Sequence, residues 1–222
     1  VVVVIALPFA GLRTVAVQHT YCLYVFQAVR VHAVAETRRR PRADRSEATR
    51  AKLVAAAREL FRENGYGGVG TEEVVRRADV TRGALYHHFA DKRDLFRAVH
   101  EQVEAETIAA IAAEMESAET PYALLETGIR SFLDVCTDPA VTRITLIDAP
   151  PVLGWAEWRE IDMRHGLGLV VAGLQGAIDA GALAPRPVVP LAHLLVGAMG
   201  EAGMMIANAD DPLVVWAASS SP

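Results

Sequence analysis

With 222 residues, 22% of them charged and 52% hydrophobic, the chain is long enough for one large domain or two small ones with their own cores, and wholesale disorder is excluded. A net charge of −5 argues at first sight against a nucleic-acid partner, but residues 38–100 carry 15 Lys/Arg against 9 Asp/Glu while residues 101–222 carry 5 against 17. A basic module joined to an acidic one suits a protein that approaches a phosphate backbone with one end only, the competing reading being chance clustering on solvated faces.

Residues 1–37 are unlike the rest. Val1–Leu12 is an apolar run interrupted by Pro8 and Gly11. No uninterrupted stretch reaches the roughly 18–20 residues of a membrane helix, and no basic region precedes the run as in a signal peptide, so no membrane partner is expected. Three readings stand open: a short membrane-associating or strand-forming extension, a poorly ordered arm, or residues outside the working protein from a start site placed too far upstream. The absence of an initiator Met and of patterning favours the last. The Arg38–Arg45 stretch then places five arginines in eight residues, a basic arm or a solvated linker, with Pro41 opposing a helix through it. Cys22 and Cys136 match no zinc or redox spacing, which fits a reducing, cytoplasmic setting; neither a metal nor a cofactor is expected.

From Asp44 onward the pattern is helical. Asp44 and Glu47 have capping-box spacing, and Leu53, Ala57, Leu60 and Phe61 recur at helical intervals until Asn64-Gly65 ends the helix. Thr71 is expected to cap a short helix over Glu72–Ala78, followed by an Asp79-Val80 turn. Thr81 caps a third helix with Leu85 and Phe89 inward, and a fourth opens at Asp91 and runs to about Ser117. Two short helices joined by a tight turn behind a longer one form a helix-turn-helix bundle, here with Leu60, Phe61, Val74, Val75, Leu85 and Phe89 as its core.

That core leaves Arg82, Gly83, Tyr86 and His87 on the outer face of the third helix. Arg82 can donate a bidentate pair to guanine, Gly83 permits close approach to a groove, and Thr81, Tyr86, His88 and Lys92 can reach phosphates. Tyr86 as core cover and His88 as a structural histidine are the plain alternatives.

The stretch Thr71–Val99 (TEEVVRRADVTRGALYHHFADKRDLFRAV) closely resembles the DNA-binding domain of TetR-family bacterial regulators. The resemblance rests on Thr71, the Ala78-Asp79-Val80 turn, Thr81-Arg82-Gly83, Tyr86-His87-His88-Phe89 and Lys92, and covers residues 45–100. It implies phosphate contacts for Thr71, Tyr86, His88 and Lys92, and base-facing positions for Arg82, Gly83 and His87. Asp79 departs from the glycine usual at that turn, which points to local strain. Leu146–Asp162 and Leu191–Asp211 resemble the ligand and dimerisation domain of one subgroup.

In the second half, Thr120-Pro121 and Asp138-Pro139 are helix starts, and the first of these helices turns Leu124, Leu125, Ile129, Phe132, Leu133 and Cys136 inward. Further helices are expected from Trp155 to Ala180 and from Pro190 to Ala209. The last is apolar nearly all round, with Gly197, Gly200 and Gly203 at three-residue spacing, which predicts a homodimer packed through it and Ile161–Ala180, the plain alternative being a monomeric helical domain with a large core. Trp155, Trp158, Met163, His165, His193 and Met199 are candidates for a ligand pocket, with plain core packing as their alternative.

The expectation is an all-α chain: an extension and arm over 1–43, a three-helix helix-turn-helix bundle over 44–100, and a larger helical ligand-binding and dimerisation domain over 101–222. The function it fits is a sequence-specific regulator, a repressor released from an inverted-repeat operator by a small-molecule effector whose identity is open. The alternative is a helical binding protein with a vestigial DNA head. No nucleophile elbow, zinc-protease motif, P-loop or dinucleotide fingerprint supports an enzyme.

Overall fold

Two helices of only seven residues stand in the head of this fold, and neither would persist alone in water. The computed structural model describes residues 41–210, which lie in helices and the turns between them and belong to one compact unit. The readings made on residues 1–37 and on most of the arginine arm lie outside the described residues. In chain order the helices are α1 (Pro41–Gly68), α2 (Thr71–Arg77), α3 (Arg82–His88), α4 (Lys92–Met115), α5 (Pro121–Val135), α6 (Val141–Asp148), α7 (Ala149–Leu153), α8 (Trp155–Asp179) and α9 (Val188–Ala207). The chain is all-α over these residues.

Several boundaries differ from the sequence reading. Asp44 lies inside α1 rather than at its cap, because α1 already holds Pro41, whose fixed φ suits a first helical turn. Gly65 does interrupt α1, with φ 67. The chain then makes one more turn through Tyr66, whose backbone N–H and ring are both engaged below. Gly70, not Thr71, is the N-cap of α2; its carbonyl accepts from Glu73 N at 3.1 Å and Val74 N at 3.3 Å. The other caps stand where expected. Thr81 accepts from Ala84 N, Asp91 from Asp94 N and Thr120 from Ala123 N, at 3.1, 2.7 and 3.1 Å.

The head is sealed by Leu53, Ala57, Leu60 and Phe61 of α1, Val74 of α2, Leu85 and Phe89 at α3, and Leu95, Phe96 and Val99 of α4, all buried. Val75, expected in this core, is half-buried at its edge. Phe61, Tyr66 and Phe96 form a ring cluster with centroids 5.1–5.9 Å apart, two of its three pairs edge-on. At about 1.5 Å per residue, α4 runs roughly 36 Å from this cluster into the second half of the chain.

There α4 packs against α5, α6, α7 and α8, and α8 packs against α9. α6 is wound as a π-helix, and one proline explains a consequence of it. Ala149 N donates to Ile144 O, five residues back. That takes the donor an α-helix would give to Thr145 O, and the next residue, Pro150, has none to offer. The Thr145 carbonyl is satisfied instead by Trp158 Nε1 at 3.1 Å. Ile129, expected inward, is 38% exposed; α5 buries Gly128, Ser131 and Leu133, with Cys136 buried as its C-cap.

Two sets of polar contacts fasten the head to this bundle. Asp148, at the end of α6, accepts from Tyr66 N at 2.6 Å and pairs with Arg143 at 3.2 Å. Arg93, in the first turn of α4, donates to the Val152 and Leu153 carbonyls at 3.1 and 2.8 Å and pairs with Glu157 at 2.6 Å. Asp148 is 9% exposed, so its loss orphans a backbone donor where water is scarce. Asp148→Ala is expected to cost about 1–3 kcal/mol in urea unfolding. Arg143→Ala, removing a half-exposed partner, should cost less than about 1 kcal/mol.

Candidate nucleic-acid interface and interior cavity

The outer face of α3 follows from what its inner face must bury. With Leu85 and Phe89 sealed in the core, Thr81, Arg82, Gly83, Tyr86 and His87 fall on the exposed side. Arg82 is held in place without being buried: its guanidinium pairs with Glu72 at 3.3 Å and lies 5.6 Å over the Tyr86 ring. Hydrogen bonds from Thr71 and then Arg82 hold the Tyr86 phenol below its usual pKa. Thr71 is the first residue of α2 rather than its cap, and its side chain stands beside Tyr86. An exposed pair of this kind contributes only about 0–1 kcal/mol, so Arg82 can exchange Glu72 for another acceptor at little cost.

His88 sits lower, half-buried, and desolvation, with His87 and Arg50 nearby, depresses its pKa. It is a neutral imidazole at the edge of the face. Lys92 is also half-buried. Its ammonium donates to the Tyr66 and Val69 carbonyls, both at 3.0 Å, and lies 4.0 Å from the Tyr66 ring. Lys92 therefore braces the α1–α2 loop beside the face, a role its spacing did not reveal. Asp79 adopts φ 52, the one positive φ outside glycine among the described residues, so the turn between α2 and α3 carries the strain expected of it.

The bundle contains a cavity between α4, α5, α8 and α9, walled by Ile108, Ile111, Leu125, Leu195 and Met199, among others, with Asp162 on its lining. Of the pocket candidates, only Met199 lines it. Trp155 and Trp158 line a separate groove against α9, and Trp158 is buried with its N–H used on Thr145. Met163 and His165 are half-buried outside both linings, and His193 is exposed on α9. The polar groups that matter inside were missed. His100 is fully buried, with Nδ1 3.4 Å from Thr145 Oγ1 and Nε2 without a partner. Glu104, one turn further along α4, is 7% exposed. Desolvation drives the His100 pKa down to about 4 and the Glu104 pKa up to about 8, the latter with help from Asp162. Their four-residue spacing was the available signal, concealed among the many acids of α4. Among the described residues no cluster could hold a metal ion.

Three exposed large apolar residues, Val189, Leu194 and Met205, stand on α9. Leu194 is 72% exposed and Met205 58%. Gly197 and Gly200 face open space, whereas Gly203 serves the chain's own core against Cys136. This helix is long and apolar enough to pass as a membrane span by composition alone, yet Ala192, Val196, Gly203 and Ile206 are buried within the bundle.

Comparison with known proteins bears on both halves. Residues 53–99 match the family described as bacterial regulatory proteins, tetR family, and residues 123–219 match the tetracyclin repressor-like C-terminal domain. The chain is 31% identical over 151 residues to the transposon Tn10 TetC protein of Escherichia coli, covering 68% of this chain and 76% of that one. A crystal structure of a TetR-family transcriptional regulator from Pectobacterium atrosepticum superposes with a TM-score of 0.73 at 36% identity, over 81% of this chain and 91% of the other. The fold is also shared with the regulator FadR of Bacillus subtilis, solved in complex with stearoyl-CoA, with a TM-score of 0.60 at 18% identity, over 76% of this chain and 94% of FadR.

Two stability effects follow from the turn and cap. Asp79→Gly relieves a left-handed strain of about 1–2 kcal/mol and loosens the unfolded chain by less, so melting should shift upward; a fall would show that the Asp79 side chain contributes something glycine cannot. Thr81→Ala, which removes the α3 cap, should cost about 1 kcal/mol in the same measurement.

Proposed function

The chain belongs to the TetR family of DNA-binding transcriptional regulators, which are not enzymes and which dimerise through their C-terminal helices, and from that premise we propose that it is a repressor that reads an inverted-repeat operator and releases it when a small molecule enters the helical bundle. The observation that carries this reading is the α3 face: Arg82 and Tyr86 exposed and mutually oriented, on a helix whose other side is locked in a core.

On this reading α3 enters a major groove. Arg82 leaves Glu72 for a guanine edge, Gly83 allows the backbone close, and His87 lies beside a base or its backbone. Thr71, Thr81 and Tyr86 bond phosphates, with His88 and Lys92 at the margin, where Lys92 also keeps the loop in register. The two heads are spaced by a dimer built from α8 and the exposed side of α9, where Leu194 and Met205 would otherwise face water and Gly197 and Gly200 leave room for a partner helix. Release is a population shift: a ligand that favours a different pose of α4 moves the head through the Arg93 and Asp148 fastenings. Stearoyl-CoA is the ligand of FadR, and nothing in that shared fold transfers it here.

Selection of bound sequences from random duplex DNA is expected to return an inverted repeat with half-sites about one helical turn apart. On that duplex, Arg82→Ala should lower affinity by about 1–3 kcal/mol and flatten the preference at one base pair in each half-site. Tyr86→Ala should weaken binding with little change in sequence preference. Selection that returns no motif, or Arg82→Ala binding with full specificity, would favour a bundle that binds small molecules and carries a vestigial head.

A further inference from the structure

The cavity between α4, α5, α8 and α9 has one charged side chain among its fifteen lining residues, Asp162 of α8. The rest of the wall is apolar or glycine, with Met115, Phe132 and Met199 in it. Asp162 is half-buried there, and Arg159, one turn earlier on the same helix, donates to its Oδ2. The second carboxylate oxygen, Oδ1, remains available as an acceptor. Arg159 itself lies on the lining of the Trp155–Trp158 groove and not on that of the cavity. Gly200 lines both spaces, so the ion pair stands where they adjoin. The cavity therefore meets a ligand with an apolar wall and a single carboxylate whose charge is balanced from outside. It encloses about 70 Å³, less than the roughly 150 Å³ that holds a benzene ring in an apolar core. A ring enters only as the wall yields, and Met115 and Met199, unbranched and adaptable, yield most readily.

Resting on the effector-release reading above, we propose that the bundle takes an uncharged alcohol or phenol of one ring, its O–H donating to Asp162 Oδ1 and its hydrocarbon part against Ile108, Ile111, Leu125 and Phe132. Charge decides between the ligand classes. An ammonium would compete with Arg159 for one carboxylate and add a net positive charge to an apolar space. A ligand carboxylate would meet Asp162 with a like charge and reach Arg159 only by breaking the existing pair. A hydroxyl uses the open oxygen and leaves the pair intact, gaining a charge-assisted hydrogen bond. A hydrocarbon without a donor fills the wall equally well but strips water from Oδ1 and returns nothing to it. Among hydroxyl compounds, Phe132 and the two thioethers favour an aromatic ring over a saturated one.

The test is titration calorimetry of the full-length protein at pH 7 with four probes built on one ring: 4-methylphenol, p-xylene, 4-methylbenzylamine and 4-methylbenzoate. The phenol is expected to bind at least about tenfold tighter than each of the others. Asp162→Leu, which replaces the acceptor by a hydrocarbon of similar size, should erase the margin over p-xylene while p-xylene itself binds no more weakly. Asp162→Asn, which keeps an uncharged acceptor, should leave a smaller margin than the native residue; melting curves check that both variants are folded, and either one alone suffices. Binding of p-xylene or a charged probe as tight as that of the phenol, a margin undiminished in a folded variant, or no binding of any probe would overturn the proposal. Operator release, followed by fluorescence anisotropy in the same titrations, separates the two readings. A phenol bound through Asp162 that leaves the operator in place sustains the hydroxyl site and overturns effector release. Release by p-xylene or a charged probe with no preference for the phenol sustains effector release and overturns the hydroxyl site.

Discussion

The structure depends on one constraint: a seven-residue helix must be rigid enough to present a chemical face, although a helix of that length is marginal in water. The head answers by burying one side of α3. Leu85 is fully buried and Phe89 nearly so, and the cap at Thr81 supplies a donor–acceptor pair at the end where the helix would otherwise fray. Once those groups are fixed, the period of the helix leaves Arg82 and Tyr86 outward with no freedom to choose another side. The recognition face is the remainder of a packing problem already solved on the other side.

The same economy governs the connection between the halves. α4 is buried against the head at Phe96 and against the bundle at His100, Glu104 and Ile111. It is a single element that both ends must agree on. Arg93 and Asp148 then tie its start, and the loop at Tyr66, to α6, α7 and α8. These are bonds to backbone groups, which tolerate little displacement before they break. The proposed release would therefore run from the packing of α4 beside the cavity to Tyr66 and Lys92, the residues that hold the loop behind the α3 face. The π-wound α6 lies at this junction, and its displaced carbonyl at Thr145 recruits Trp158, so the packing of α8 is tied to the same place.

Much of this was legible in the residues. The caps at Thr81, Asp91 and Thr120, the break at Gly65, the strain at Asp79 and the inward placement of Leu60, Phe61, Val74, Leu85 and Phe89 are all local signals, set by hydrogen-bond geometry or by helical period. Less was legible where one residue's role depended on a distant one. Thr71 looked like a cap, but Gly70 does the capping and Thr71 is the first residue of the helix. Lys92 looked free for phosphate, but two loop carbonyls occupy its ammonium. Trp155, Trp158, Met163, His165 and His193 looked like a pocket because aromatic and polar residues on apolar helices draw attention, yet the cavity formed elsewhere with only Met199 among them.

By itself the sequence determined the all-α class, the helix-turn-helix arrangement and which side of α3 is basic and hydroxyl-bearing, because these follow from periodicity, capping and the exclusion of apolar groups from water, all acting within a few residues. Only the tertiary structure decided where the interior is hollow, that His100 and Glu104 end up buried with His100 Nε2 unpartnered, and that the head is fastened through Asp148 and Arg93. Those outcomes depend on which helices meet at which depth, and desolvation and long-range pairing are properties of that meeting rather than of any short stretch of chain.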